Sequence, residues 1–181
     1  MSDCIELEYK SIGTFEQTST KIIVSDPCYA KSMASRSTMF SISSIVPNVL
    51  IGTWDVSSKF NSHRVHELMA VHGDYAETDI TFKKFSGVGV DSGQVCICDY
   101  VFYKDDSVVG DRPVTDYGIE DPGDKWYNMC CHVTSNGDCV GTIPNGCNSS
   151  SGYGDGCYPV YVAENDQGQQ IGIKVIFIGD D

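Results

Sequence analysis

Hydrophobic and polar residues alternate with a period of two along most of this chain, the spacing of strands with one buried face. Residues 4–10 (Cys-Ile-Glu-Leu-Glu-Tyr-Lys) read as a first strand and 21–25 as a short buried one. Alternation around Ile42, Ile45 and Val46 gives way to a turn at Pro47-Asn48, and 49–56 is a further strand. The stretch from His63 to His72 fits a short helix through Val65, Leu68 and Met69. It also fits the return arm of a hairpin turning at Phe60-Asn61-Ser62, and the hairpin is preferred because no helix cap is present. Strands are predicted over 78–85, 87–90, 95–103 and 126–134, with a hairpin turn at Asn136-Gly137 and a return arm at 139–143. Residues 145–151 read as a loop, and 157–163 with 170–178 as a closing hairpin. Ten to twelve strands with short connections predict one all-β, mainly antiparallel domain over residues 1–181, a sandwich or distorted barrel.

One connection is long. Residues 104–125 are polar and carry Gly110, Pro113, Gly118, Pro122 and Gly123 among Asp105, Asp106, Asp111, Asp116, Glu120 and Asp121. Loops of this length are usually binding or lid segments. The spacing of these acids is not that of an EF-hand.

Composition narrows the function classes. Asp and Glu total 25 against 12 Lys and Arg, a formal charge of −13, which repels phosphate backbones and argues against nucleic acid as a partner. The start Met1-Ser2-Asp3-Cys4 lacks the apolar core of a signal peptide, and no apolar run is long enough to span a membrane, so a soluble cytoplasmic protein without a membrane partner is expected. Nine cysteines is an odd number, and in a reducing compartment most should be free thiols packed as small hydrophobes. Structural zinc is disfavoured because there is no C-x-x-C pair; Cys96 and Cys98 should share one strand face. On a strand, His66 and His72 would lie about 20 Å apart, too far for one ion.

Three segments set an aspartate at a break beside an apolar run: Ser25-Asp26-Pro27-Cys28-Tyr29, Gly89-Val90-Asp91-Ser92-Gly93-Gln94, and Ser151-Gly152-Tyr153-Gly154-Asp155-Gly156-Cys157-Tyr158. Together with Gly52-x-Trp54, Arg64-Val65 and the closing hairpin, they resemble the DUF4241 family from about residue 20 onward. That family has no established activity, so the resemblance marks a region without naming a function.

If the three strand ends share one rim, Asp26, Asp91 and Asp155 converge with Tyr29, Ser92, Gln94, Tyr153 and Tyr158 on a small ligand, or on a divalent cation such as calcium or magnesium. A carboxylate-dependent hydrolase is an alternative, as is a cysteine nucleophile at Cys28 or Cys157. So is a non-catalytic protein that assembles with copies of itself or with a protein partner. All three aspartates also sit in sequences that favour tight turns, which need no joint purpose.

Overall fold

The computed structural model describes residues 7–35, 42–61 and 63–179. Two six-stranded sheets face each other. The first holds β1 (Tyr9–Gln17), β5 (Gly52–Asn61), β6 (Arg64–His72), β7 (Lys83–Val90), β11 (Gly156–Glu164) and β12 (Gln170–Ile176), in the order β1-β5-β6-β12-β11-β7. The second holds β2 (Lys21–Ser25), β3 (Ala34–Ser35), β4 (Ser43–Pro47), β8 (Gln94–Asp99), β9 (Val140–Ile143) and β10 (Gly146–Ser150), in the order β3-β4-β2-β8-β10-β9. All pairings between these strands are antiparallel except that of the two-residue β3 with β4. The sheets are open, so the fold is a sandwich and not a distorted barrel.

Alternation along the central strands sorts side chains between two cores. Ile22, Val24, Val95 and Ile97 point toward the first sheet and join Trp54, Leu68, Val160 and Ile173 in the space between the sheets. Ile23, Cys96 and Cys98 point the other way, to a second core with Tyr103, Trp126, Met129 and Cys130. Cys96 and Cys98 thus share a face as expected, and both are buried free thiols.

That outer core is capped by α1 (Asp124–Ser135), where the sequence reading placed a strand. Trp126, Met129, Cys130 and Val133 recur at the spacing of one helical face and cover the second sheet. The Asp106 carboxylate accepts the amides of Gly123 and Trp126, both at 2.8 Å, and so caps the helix start from outside it.

Other boundaries also move. The strand expected over 95–103 ends at Asp99, that over 78–85 begins only at Lys83, and 145–151 contains β10, a ladder strand between β8 and β9. The strand expected at 4–10 falls partly outside the described residues; β1 starts at Tyr9. Arg64–His72 is strand, as preferred for the stretch from His63. His72 is buried with Nδ1 accepting the Asp74 amide and Nε2 facing the Ile51 carbonyl at 3.1 Å, a structural histidine.

The chain passes between the sheets at β1–β2, β4–β5, β7–β8 and β10–β11. At the first crossing, the fully buried Asp99 at the end of β8 accepts five hydrogen bonds: from the amide and hydroxyl of Thr18, the amide and hydroxyl of Ser19, and the Val101 amide. Burial alone would raise this carboxyl, but the donors of Ser19, Thr18 and Val101 together hold it below its ordinary value.

Because the folded-state pKa is depressed, the stabilisation is complete above the ordinary carboxylate pKa and disappears as pH falls through the lowered one. Asp99→Asn should therefore lower stability at neutral pH by about 3 kcal/mol, since a charged acceptor is lost and donors are left unmatched. In denaturant titrations the gap between the two proteins should close as pH drops below about 4; a gap that stays constant down to pH of about 2 would refute the assignment.

Candidate functional site

The three aspartate-bearing segments meet at one end of the sandwich. β2 ends at Ser25, paired with Cys96 near the start of β8, and β11 begins at Gly156, paired with Val90 at the end of β7. Their carboxylates have different roles. Asp26 is fully buried: Oδ2 accepts the Asp91 and Ser92 amides at 2.8 and 2.6 Å, and Oδ1 accepts the Ser92 hydroxyl at 2.6 Å and the Cys28 amide at 2.9 Å. With four donors on two oxygens, an ion at Asp26 would have to displace amides that hold the β7–β8 turn.

Asp91 is exposed and accepts the Tyr29 hydroxyl at 2.5 Å. Asp155 is also exposed, one residue before the Gly156–Val90 pair that ends the β7–β11 ladder, and no hydrogen bond or ion pair engages its side chain among the described residues. Among those residues, no three His, Cys, Asp or Glu side chains are grouped to hold a metal ion.

The third segment joins the other two through its backbone. The Ser151 amide donates to the Gly93 carbonyl at 3.0 Å, and the Ser151 and Tyr158 hydroxyls both donate to the Gly154 carbonyl, at 2.8 and 2.7 Å. Gly152, at φ +66°, turns the chain tightly against its neighbours. A Cβ there would lie 3.0 to 3.2 Å from Ile178, Phe177 and the Val65 carbonyl, so the loop is pressed onto the start of β6.

Two clefts flank this knot, with Ser150 lining both. The smaller, about 270 Å³, lies against α1 and is lined by Ser92, Gln94, Tyr127, Cys131 and Thr134 among others. Gln94 is fully engaged there: Oε1 accepts from Asn148 and Thr134, and Nε2 faces the Ser92 hydroxyl and the Cys131 sulfur.

The larger cleft, about 610 Å³, opens between the start of β6 and the 150–153 loop, with Arg64, His63, His66, Cys139 and Tyr153 in its wall. The Arg64 guanidinium lies 4.7 Å from the centre of the Tyr153 ring and donates to the Gly152 carbonyl at 3.3 Å. Tyr153 is 74% exposed. Sequence reading placed Tyr153 at the site but not its partners. Arg64 and the histidines come from a hairpin far away in sequence, and only the Arg64-Val65 pair hinted at them.

The two cysteines beside the motifs differ. Burial, then the hydrogen bond and charge of Asp26, push the Cys28 thiol up to about 12, so it stays protonated and weakly nucleophilic at neutral pH. Cys157 is exposed on β11.

The unequal roles of the carboxylates separate their variants. Asp26→Asn places an amide NH₂ against backbone donors and should cost about 2–4 kcal/mol, whereas Asp155→Asn should stay within about 0.5 kcal/mol. Thermal melting of both reads the difference directly, and equal losses would show that Asp26 is not the clasp described.

No curated protein and no solved structure matches the chain. The family model described as "Protein of unknown function (DUF4241)" matches residues 56–175, a stretch that takes in Arg64, the β7–β8 turn and the Tyr153 loop and leaves out Asp26. The match covers well over half of the sequence, and the chain belongs to the DUF4241 family.

Proposed function

We propose that this β-sandwich is a ligand-binding domain whose ligand is a small anion held in the cleft between β6 and the 150–153 loop. The observation that supports this reading is Arg64. It is oriented by the Tyr153 ring and the Gly152 carbonyl, and it remains exposed at the cleft wall. Several other cations are engaged elsewhere: Lys59 pairs with Glu67, Lys83 lies 3.8 Å from Glu164, and Lys31, Lys104 and Lys174 lie over aromatic rings. A guanidinium fixed in this way recognises a carboxylate or phosphate with little loss of side-chain entropy, and the exposed Tyr153 ring offers an apolar platform beside it.

The divalent-ion reading rests on Asp91 and Asp155, which follow and precede the Val90–Gly156 pair at the same end of the sandwich. It is the weaker of the two, because Asp91 already accepts from Tyr29 and Asp26 is committed to amides.

Both readings are separated by an amide-resolved NMR titration of the ¹⁵N-labelled protein with carboxylate- and phosphate-bearing fragments, and in parallel with calcium and magnesium. Fragment binding should perturb residues 63–66 and 150–153, and Arg64→Met, which keeps the apolar stem, should weaken it about tenfold or more. Anionic fragments that leave these amides unmoved, while a divalent ion shifts residues 91 and 155, would replace the anion site with an ion site.

A further inference from the structure

The 111–121 segment faces solvent with an unusual combination of side chains. Tyr117 is 71% exposed and Ile119 60%, two of the three most exposed large apolar residues in the described chain, and Val114, between them and Arg112, is 37% exposed. Around them stand Asp111, Asp116, Glu120 and Asp121, all exposed, with Arg112 the one base among them.

Loops that show apolar side chains to water are commonly loose, but this one is tied at every turn. The Thr115 amide donates to the Asn128 carbonyl at 3.1 Å, and Asn128 Nδ2 returns to the Gly118 carbonyl at 2.9 Å. The Asp124 carboxylate accepts the Glu120 and Asp121 amides, both at 2.9 Å, and Lys125 Nζ reaches the Gly110 carbonyl at 3.2 Å. Asn128 is itself buried in α1, so the loop is anchored to the helix that caps the outer core. The flanking cations Lys104 and Lys125 offset only part of the local charge, because residues 104–125 carry seven Asp and Glu against three Lys and Arg.

An ordered loop that holds three apolar side chains in water and surrounds them with carboxylates has the form of a pre-organised docking surface with an acidic rim. We infer that it docks a basic polypeptide segment, one that places aliphatic or aromatic side chains on Tyr117 and Ile119 and Lys or Arg opposite Asp116, Glu120 and Asp121. Charge selects this occupant. A second copy of this chain carries the same −13 and would bring like charges together, whereas a basic segment is drawn in and held.

The test uses the intact protein as bait for a displayed library of random peptides, followed by affinity measurements on synthetic versions of the enriched ones. Enriched peptides should combine Lys or Arg with Leu, Phe or Trp. Their binding should weaken as salt rises from about 50 to 300 mM, and should fall about tenfold or more in a Tyr117→Ser/Ile119→Ser variant. Both side chains are exposed, so that variant should melt as the wild type does. Asp116→Asn/Glu120→Gln/Asp121→Asn should reduce binding similarly, while the control Glu77→Gln/Asp79→Asn, exposed acids elsewhere, should not. Enrichment of neutral or acidic peptides, or equal loss in the control, would overturn the inference. So would sedimentation showing a dimer that the Tyr117→Ser/Ile119→Ser variant disperses.

Discussion

Two buried carboxylates without a cationic partner hold this sandwich together. Asp26 and Asp99 lie at opposite ends of the central β2–β8 pair of the second sheet, and each has its charge met by amides and hydroxyls alone. Such burial would be prohibitive for a bare carboxylate and becomes favourable only when every oxygen is saturated by donors already aimed at it. Apart from one local amide each, Cys28 and Val101, the donors belong to the two connections that carry the chain from the first sheet into the second, Thr18–Ser19 between β1 and β2 and Asp91–Ser92 between β7 and β8. Each aspartate therefore does what a disulfide or metal staple does in other small β proteins, fixing the place where one sheet hands the chain to the other. With eight cysteines present as free thiols among the described residues, this polar stapling needs no oxidising compartment to form.

The Asp26 clasp also sets what the surface can present. By locking the β7–β8 turn it fixes the Gly93 carbonyl, which in turn receives Ser151 and holds the start of the 151–155 loop. Tyr153 is thus carried by a chain of contacts that begins at a fully buried charge, although its own ring is mostly in water. A ring placed in this way can orient Arg64 from a different hairpin, and two elements distant in sequence form one wall. The 111–121 loop follows the same plan next to the smaller cleft, which Tyr117 helps to line. Asp106 and Asp124 take up amides at the start of α1, and Asn128 ties the loop to the helix, so exposed apolar side chains ride on a satisfied polar frame.

Much of the sandwich could be read from the alternation of residues, and the exceptions share physical causes. Trp126, Met129, Cys130 and Val133 have helical spacing, but they sit among Tyr, Cys, Val and Thr, residue types that favour strands, and propensity outweighed periodicity in the reading. β10, Gly-Cys-Asn-Ser-Ser, has no apolar run because, Cys147 apart, its buried side chains are polar. Asn148 donates to Gln94 Oε1 and to the Cys130 carbonyl, contacts that exist only once β8 and α1 are in place.

The candidate site shows the same division between what local sequence encodes and what only the fold assembles. An aspartate before proline or before Ser-Gly announces a turn, and all three turns are where the sequence put them. Whether the carboxylate then points inward or outward depends on which amides lie opposite it. Asp26 faces the start of the 91–93 turn and is consumed by it, Asp91 faces the Tyr29 hydroxyl, and Asp155 faces water. Three similar motifs thus yield one clasp, one tether and one free charge. Residue type alone would have grouped them as a single site; the donors that lie opposite each one are what separate them, and Arg64 and Tyr153 meet only through tertiary packing.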